Sequence, residues 1–148
     1  MNQVQVDNFI EIRLNRIYSR RDAISCIGGI KNLIDVYKDK IQSKPYSQTE
    51  KDIILIAYGD HISDSGSNEK PLVTLKKFLN KFCKDKINSV HILPFYPYSS
   101  DDGFSVIDYK AVDPELGSWK DVNEIGKNYR IMFDGVVNHI SAESTWFK

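Results

Sequence analysis

Three short apolar runs constrain this chain most: Ile53–Tyr58, Ser89–Leu93 and Ile131–Val137. Each is rich in β-branched residues and bounded by polar ones. That is the pattern of a strand buried on both faces, as in a parallel sheet. Segments with helical spacing separate the runs. Pro71 suits a first helical position, and Leu72, Val73, Leu75, Phe78, Leu79 and Phe82 carry the period to about Asp85. Ser118 is placed to cap a second helix, Trp119–Asn128, with Val122 and Ile125 inward. The order strand, helix, strand, helix, strand implies right-handed parallel units. The fold class is therefore α/β.

Ahead of the first strand the period is helical throughout. Asp7–Ser19 reads as a short amphipathic helix with Asp7 or Asn8 as its cap. Ser19 and Asp22 resemble a capping box, with Asp in place of Glu. Beyond them Ala23, Ile24, Ile27, Ile30, Leu33, Ile34, Tyr37 and Ile41 recur at three- and four-residue steps. Gly28-Gly29 lies inside this run, without the preceding strand or lysine of a phosphate loop. A helical hairpin over the first ~42 residues follows. Polar Gln42–Asp52 reads as a linker. The expected organisation is a helical extension, residues 1–51, followed by a strand–helix domain, residues 52–148.

Charge and cysteine content narrow the function classes. The formal net charge is zero, so nothing points to nucleic acid or an acidic membrane surface. No apolar run approaches the roughly 20 residues of a bilayer span, and the N-terminus lacks a basic start and an apolar signal core. Cys26 and Cys83 lie far apart and read as free, reduced thiols. The expected compartment is the cytoplasm.

Polar chemistry sits where the apolar runs end. Ligands bind at the carboxyl ends of strands in parallel α/β sheets, and Asp134, Asn138 and His139 lie within and just past the third run. Asn138 and His139 are either ligand-facing or turn-and-cap residues. Asp101-Asp102-Gly103-Phe104 lies in a long loop after the second run, with Phe95, Tyr96 and Tyr98 close by. It is either a tight turn or a sugar-binding element, in which a carboxylate accepts from hydroxyls and an aromatic ring covers a pyranose face. His91, inside the second run, reads as a satisfied core histidine. Asp60, His61 and His139 could meet at one end of the sheet. They lack the spacing of a zinc site, so no metal is expected.

Together these residues resemble the α-amylase superfamily, glycoside hydrolase family 13, and within it the sucrose phosphorylase branch. Asp134-Gly-Val-Val-Asn138-His139 is similar to the family's first conserved region, at the end of barrel strand three. Val90-His-Ile-Leu-Pro-Phe95 resembles the second strand and its exit. Asp101-Asp-Gly-Phe104, followed by Ile107-Asp-Tyr109, resembles the loop of the phosphorylases, and Leu116-Gly-Ser-Trp119 the entry to the second barrel helix. The wording from Pro94 to Tyr109 resembles the glucosylglycerate phosphorylases more than typical sucrose phosphorylases, and their helical extension resembles residues 1–51.

The resemblance implies the first three strands of a (β/α)8 TIM barrel. It also implies retaining glucosyl transfer to phosphate, giving α-glucose 1-phosphate. Asp101 would grip hydroxyls of the glucosyl unit, Phe104 would form its apolar wall, and His139 would donate to a hydroxyl near the reacting carbon. Asp134 and Asn138 would be structural. The family's nucleophile Asp and acid Glu fall beyond Lys148, so no catalytic residue is expected here and the chain alone would be inactive. No metal and no cofactor are expected; inorganic phosphate is a co-substrate. The implied partners are a small-molecule glucoside, phosphate and the missing C-terminal half of the barrel. A closed barrel takes roughly 250 residues, so the chain reads as an N-terminal fragment, its ending Ser144-Thr-Trp-Phe-Lys148 reading as a cut. The rival reading is a stand-alone carbohydrate-binding or assembly protein that retains half a barrel.

Overall fold

The computed structural model describes residues 3–41 and 47–148. It forms two compact units, Met1–Ser47 and Gln48–Lys148.

The first unit holds two packed helices, α1 (Gln3–Ile17) and α2 (Arg20–Tyr37). The start of α1 lies ahead of Asp7, so Asp7 is not its cap. The Asp7 carboxylate instead takes Nζ of Lys31 on α2 at 2.8 Å. Ser19 caps α2, its Oγ accepting from the Asp22 N–H at 3.2 Å and donating to the Asp22 carboxylate at 2.6 Å. A full capping box also returns the N3 side chain to the cap's own N–H; here the Asp22 carboxylate takes the serine hydroxyl. The helix ends at Tyr37, short of Ile41. Ala23 is its buried residue, while Ile24, Leu33 and Ile34 are exposed. Part of the expected linker, Gln42–Asp52, lies outside the described residues.

The second unit is built on a parallel sheet in the order β1 (Ile54–Ala57), β2 (Ser89–Ile92), β3 (Arg130–Phe133). Helix α3 (Pro71–Phe78) joins the first pair and α4 (Trp119–Gly126) the second. Pro71 takes the first turn of α3, where its missing N–H has no partner to lose. At α4 the box is complete: the Ser118 N–H and hydroxyl both donate to the Asp121 carboxylate, at 2.9 and 2.6 Å. Beyond α3 the chain continues as a π turn, Leu79–Cys83. There the Tyr129 hydroxyl donates to the Leu79 carbonyl at 2.8 Å.

Leu72, Leu75 and Leu79 from the α3 side pack with Val90 and Ile92 of β2, Val122 and Ile125 of α4, and Phe95 and Val106 of the following loop. At the opposite end of the strands, Arg130 pairs with Asp52 and donates from Nε to Ser89 Oγ at 3.1 Å. Asn88 donates to the same Asp52 carboxylate at 2.6 Å.

Burial on both faces holds for β2 but not for its neighbours. The register row Leu55, Val90, Ile131 turns to the helices. The alternate row Ile56, His91, Met132 turns away from them, leaving Ile56 59% and Met132 43% exposed. Within this unit α3 and α4 pack on the face of Leu55, Val90 and Ile131. β3 is also shorter than the apolar run that announces it. Asp134 turns its side chain to His91, and the Val136 carbonyl accepts from the Tyr109 hydroxyl. Val136 and Val137 therefore lie outside the sheet.

Candidate functional site

The loop leaving β2 is shaped by three successive residues of positive φ: Asp101 (61°), Asp102 (48°) and Gly103 (97°). Only glycine occupies the third place without strain, since a Cβ on Gly103 would stand 2.7 Å from the Pro94 carbonyl oxygen. The turn closes as the Phe104 N–H donates to the Asp101 carbonyl at 2.9 Å. An antiparallel bridge between Tyr98 and Val106 forms its base. Asp101 is thereby held on the outside of the loop, its side chain 71% exposed.

The segment leaving β3 is stitched to this loop at three points. The Tyr109 hydroxyl donates to the Val136 carbonyl. The Ser141 N–H donates to the Val106 carbonyl at 3.0 Å. The hydroxyls of Ser99 and Ser141 share a hydrogen bond of 2.7 Å. Ser141 is buried. His139 lies between these anchors, with its Nε2 3.9 Å from Asp101 Oδ2. Its other ring nitrogen, Nδ1, accepts from the Asn138 amide at 2.8 Å.

Two of the three expected binding residues, Asp101 and His139, thus meet at the carboxyl end of the sheet. Phe104 is half-buried and packs against the core cluster. Asp102 faces elsewhere: it lines a cleft of about 420 Å³ with Tyr58, Asp60 and Asp113. Asp60, His61 and His139 do not converge. His61 instead accepts from the Tyr58 N–H at 3.2 Å, and among the described residues no cluster suits a metal ion. His91 is satisfied by Asp134 at 2.8 Å. The pair is partly buried, with side chains 16% and 24% exposed. Tyr96 lies buried near it; burial first, then the charge of Asp134, holds its hydroxyl above the ordinary tyrosine range.

Sequence reasoning passed over the stitching residues Ser99 and Ser141. It also passed over Trp146, whose ring stacks on Tyr109 with centroids 5.5 Å apart and planes at 22°. Both rings line a cavity of about 530 Å³ with His139 and Asn138. No pattern within the tail marks these serines, because Ser99 and Ser141 meet across 42 residues of chain.

A carboxylate and an imidazole spaced in this way can hold a hydroxyl group between them. Two carboxylates placed across a glycosidic bond would be a different device. Asp101 and Asp102 do not form it, because they serve different clefts.

Comparison with known proteins gives a consistent picture. A family model described as alpha amylase, catalytic domain, matches residues 79–148. The glucosylglycerate phosphorylase of Spirochaeta thermophila is 53% identical over 97 residues, 66% of this chain and 16% of that protein. The Escherichia coli glucosylglycerate phosphorylase is 49% identical over 100 residues, 67% of this chain and 17% of that protein. The sucrose phosphorylase of Streptococcus mutans is 39% identical over 95 residues, 64% and 18%. Among solved structures, the sucrose 6F-phosphate phosphorylase from Thermoanaerobacter thermosaccharolyticum matches with a TM-score of 0.59 at 35% identity. It covers 68% of this chain and 19% of that one. The chain thus spans about a sixth of the length of the curated relatives it matches. Its three parallel strands and their helices correspond to the N-terminal part of the barrel in these neighbours.

Proposed function

We propose that this chain, which belongs to the α-amylase superfamily, glycoside hydrolase family 13, and resembles its phosphorylases, carries part of the glucosyl-binding subsite of a retaining glucosyl phosphorylase. The relatives named above suggest a glucoside and inorganic phosphate as substrates, with α-glucose 1-phosphate as product. The observation that carries the reading is the approach of His139 Nε2 to Asp101 Oδ2, 3.9 Å apart, at the carboxyl ends of neighbouring strands. Asp101 accepts from a sugar hydroxyl, His139 donates to one, and Phe104 bounds the sugar on its apolar side. Residues 52–148 act as this part of the barrel, and residues 1–51 as a helical extension without a role in the chemistry. Retaining transfer needs two carboxyl groups about 5 Å apart across the scissile bond. Nothing in the geometry above provides that pair, so the 148-residue chain catalyses no transfer by itself.

The test uses a chimera in which this strand–helix segment replaces the matching residues of the Spirochaeta thermophila glucosylglycerate phosphorylase. Asp101→Ala and His139→Ala should each reduce kcat/KM by about 2–4 kcal/mol of transition-state stabilisation. Near-normal kcat/KM in both variants of an active chimera would refute the assignment. Phosphate-dependent release of glucose 1-phosphate by the 148-residue chain would refute the statement that it is inactive alone.

A further inference from the structure

We propose that Asn138 is a positioning residue: its side-chain amide fixes His139 in the tautomer that carries its proton on Nε2, the nitrogen facing Asp101. The Asn138 NH2 group is a donor only, and it points at His139 Nδ1 from 2.8 Å. A ring nitrogen that receives this hydrogen bond must offer a lone pair. In the neutral imidazole the single N–H then belongs to the other nitrogen. That nitrogen, Nε2, is the one 3.9 Å from Asp101 Oδ2.

The separation is too long for a direct hydrogen bond. It suits a third atom off the axis, one oxygen about 2.8 Å from each partner. The ligand chemistry follows from counting protons. A hydroxyl has one proton to give and lone pairs to receive with. Asp101, ionised, can only accept, so it takes the hydroxyl's proton. The imidazole on the other side must therefore donate. With the proton on Nδ1 instead, Nε2 and Asp101 would both be acceptors competing for one proton, and the bridging hydroxyl would fit poorly. The amide of Asn138 resolves this before any ligand arrives. It also explains why a residue that is itself exposed sits directly beside His139: its effect passes through the ring.

The identity of the ligand as a sugar hydroxyl rests on the reading of the site given above. The tautomer does not, and it is measurable in the free chain. Long-range 1H–15N NMR of the 15N-labelled 148-residue protein would be recorded at about pH 8.5, where an ordinary histidine is neutral. The His139 signals are identified by their loss in His139→Gln. The expected pattern is a pyrrole-like Nε2 and a pyridine-like Nδ1. In Asn138→Asp, whose side chain only accepts, the proton should move to Nδ1. In Asn138→Ala the ring should relax toward the tautomer mixture of a free histidine. A wild-type ring protonated on Nδ1, or a pattern unchanged in Asn138→Asp, would overturn the inference. A separate titration with methyl α-glucoside tests the sugar reading. Where the wild type binds, Asn138→Asp should weaken binding at least tenfold, and equal binding would overturn the positioning role. Absence of glucoside binding to the wild type, with the expected tautomer present, would count against the sugar reading alone.

Discussion

Asp134 Oδ2 lies 2.8 Å from Nε2 of His91, joining the first residue past β3 to the centre of β2. Just beyond it the chain leaves the sheet toward Asn138 and His139. Both partners are largely shielded from solvent, so removing one leaves the other unsatisfied. His91→Ala and Asp134→Ala should each lower stability by about 1–3 kcal/mol. Asp134→Asn, which keeps the volume and a hydrogen-bonding group, should cost less. Urea unfolding followed by circular dichroism measures this, and equal losses in Asn and Ala variants would show that the bond is not the cause.

Gly103 holds the turn on which Asp101 stands. At φ 97°, with the Pro94 carbonyl oxygen 2.7 Å from any added Cβ, alanine meets both backbone strain and a clash. Gly103→Ala should cost about 1–3 kcal/mol. It should also shift the Asp101 and His139 backbone resonances, because the turn must open to relieve the contact. A stable variant with unmoved resonances would contradict this account.

The Tyr129 hydroxyl ties the last turn before β3 to the Leu79 carbonyl at 2.8 Å. Tyr129→Phe leaves that buried carbonyl without its donor, at a cost of about 1–3 kcal/mol. Burial also holds the hydroxyl above its ordinary value of 10.0. The stability this group contributes is therefore complete below pH 10 and is lost as pH rises through its higher folded value. Unfolding of the phenylalanine variant should depend less steeply on alkaline pH than that of the wild type.

Glu124 is held between two lysines, bonded to Lys127 and, at 3.0 Å, to Lys76 of α3. The hydrogen bond to Lys127, then the one to Lys76, push its carboxyl down from 4.5 to about 2. A depressed folded value means a contribution present above pH 4.5 and lost as pH falls through about 2. In Glu124→Gln the melting temperature should fall less between those limits. Parallel acid profiles in the two proteins would remove Glu124 from the explanation.

Features with a local cause were legible from the residues. Pro71 opens α3 and Ser118 with Asp121 opens α4, because proline and a serine–aspartate box act within one turn. The parallel order of the sheet followed from strand–helix alternation. A shared sugar-binding role for Asp101 and His139 was implied by the family resemblance alone, and the structure sets the two side chains 3.9 Å apart. What could not be read came from long-range partners. Asp7 looked like a cap until Lys31 claimed it. Val136 and Val137 looked like strand until the Tyr109 hydroxyl took the Val136 carbonyl. The serine bond across Ser99 and Ser141, 42 residues apart, has no local signature at all.

The sheet's pairing has a kinetic consequence. The bond joining Ile53 to Asn88 closes 35 residues of chain, and the one joining Ser89 to Arg130 closes 41. In the helical hairpin, by contrast, α1 and α2 are consecutive and joined by a short turn at Ser19. Chain closure over long separations is entropically costly before contacts reward it, and it slows folding. The two units should therefore mature on different clocks. The hairpin's helices form within microseconds of collapse, while the β-strands wait for each intervening helix to bring the next one alongside. During that interval the exposed strand edges, not the helices, are where a newly made chain is open to pairing with its neighbours.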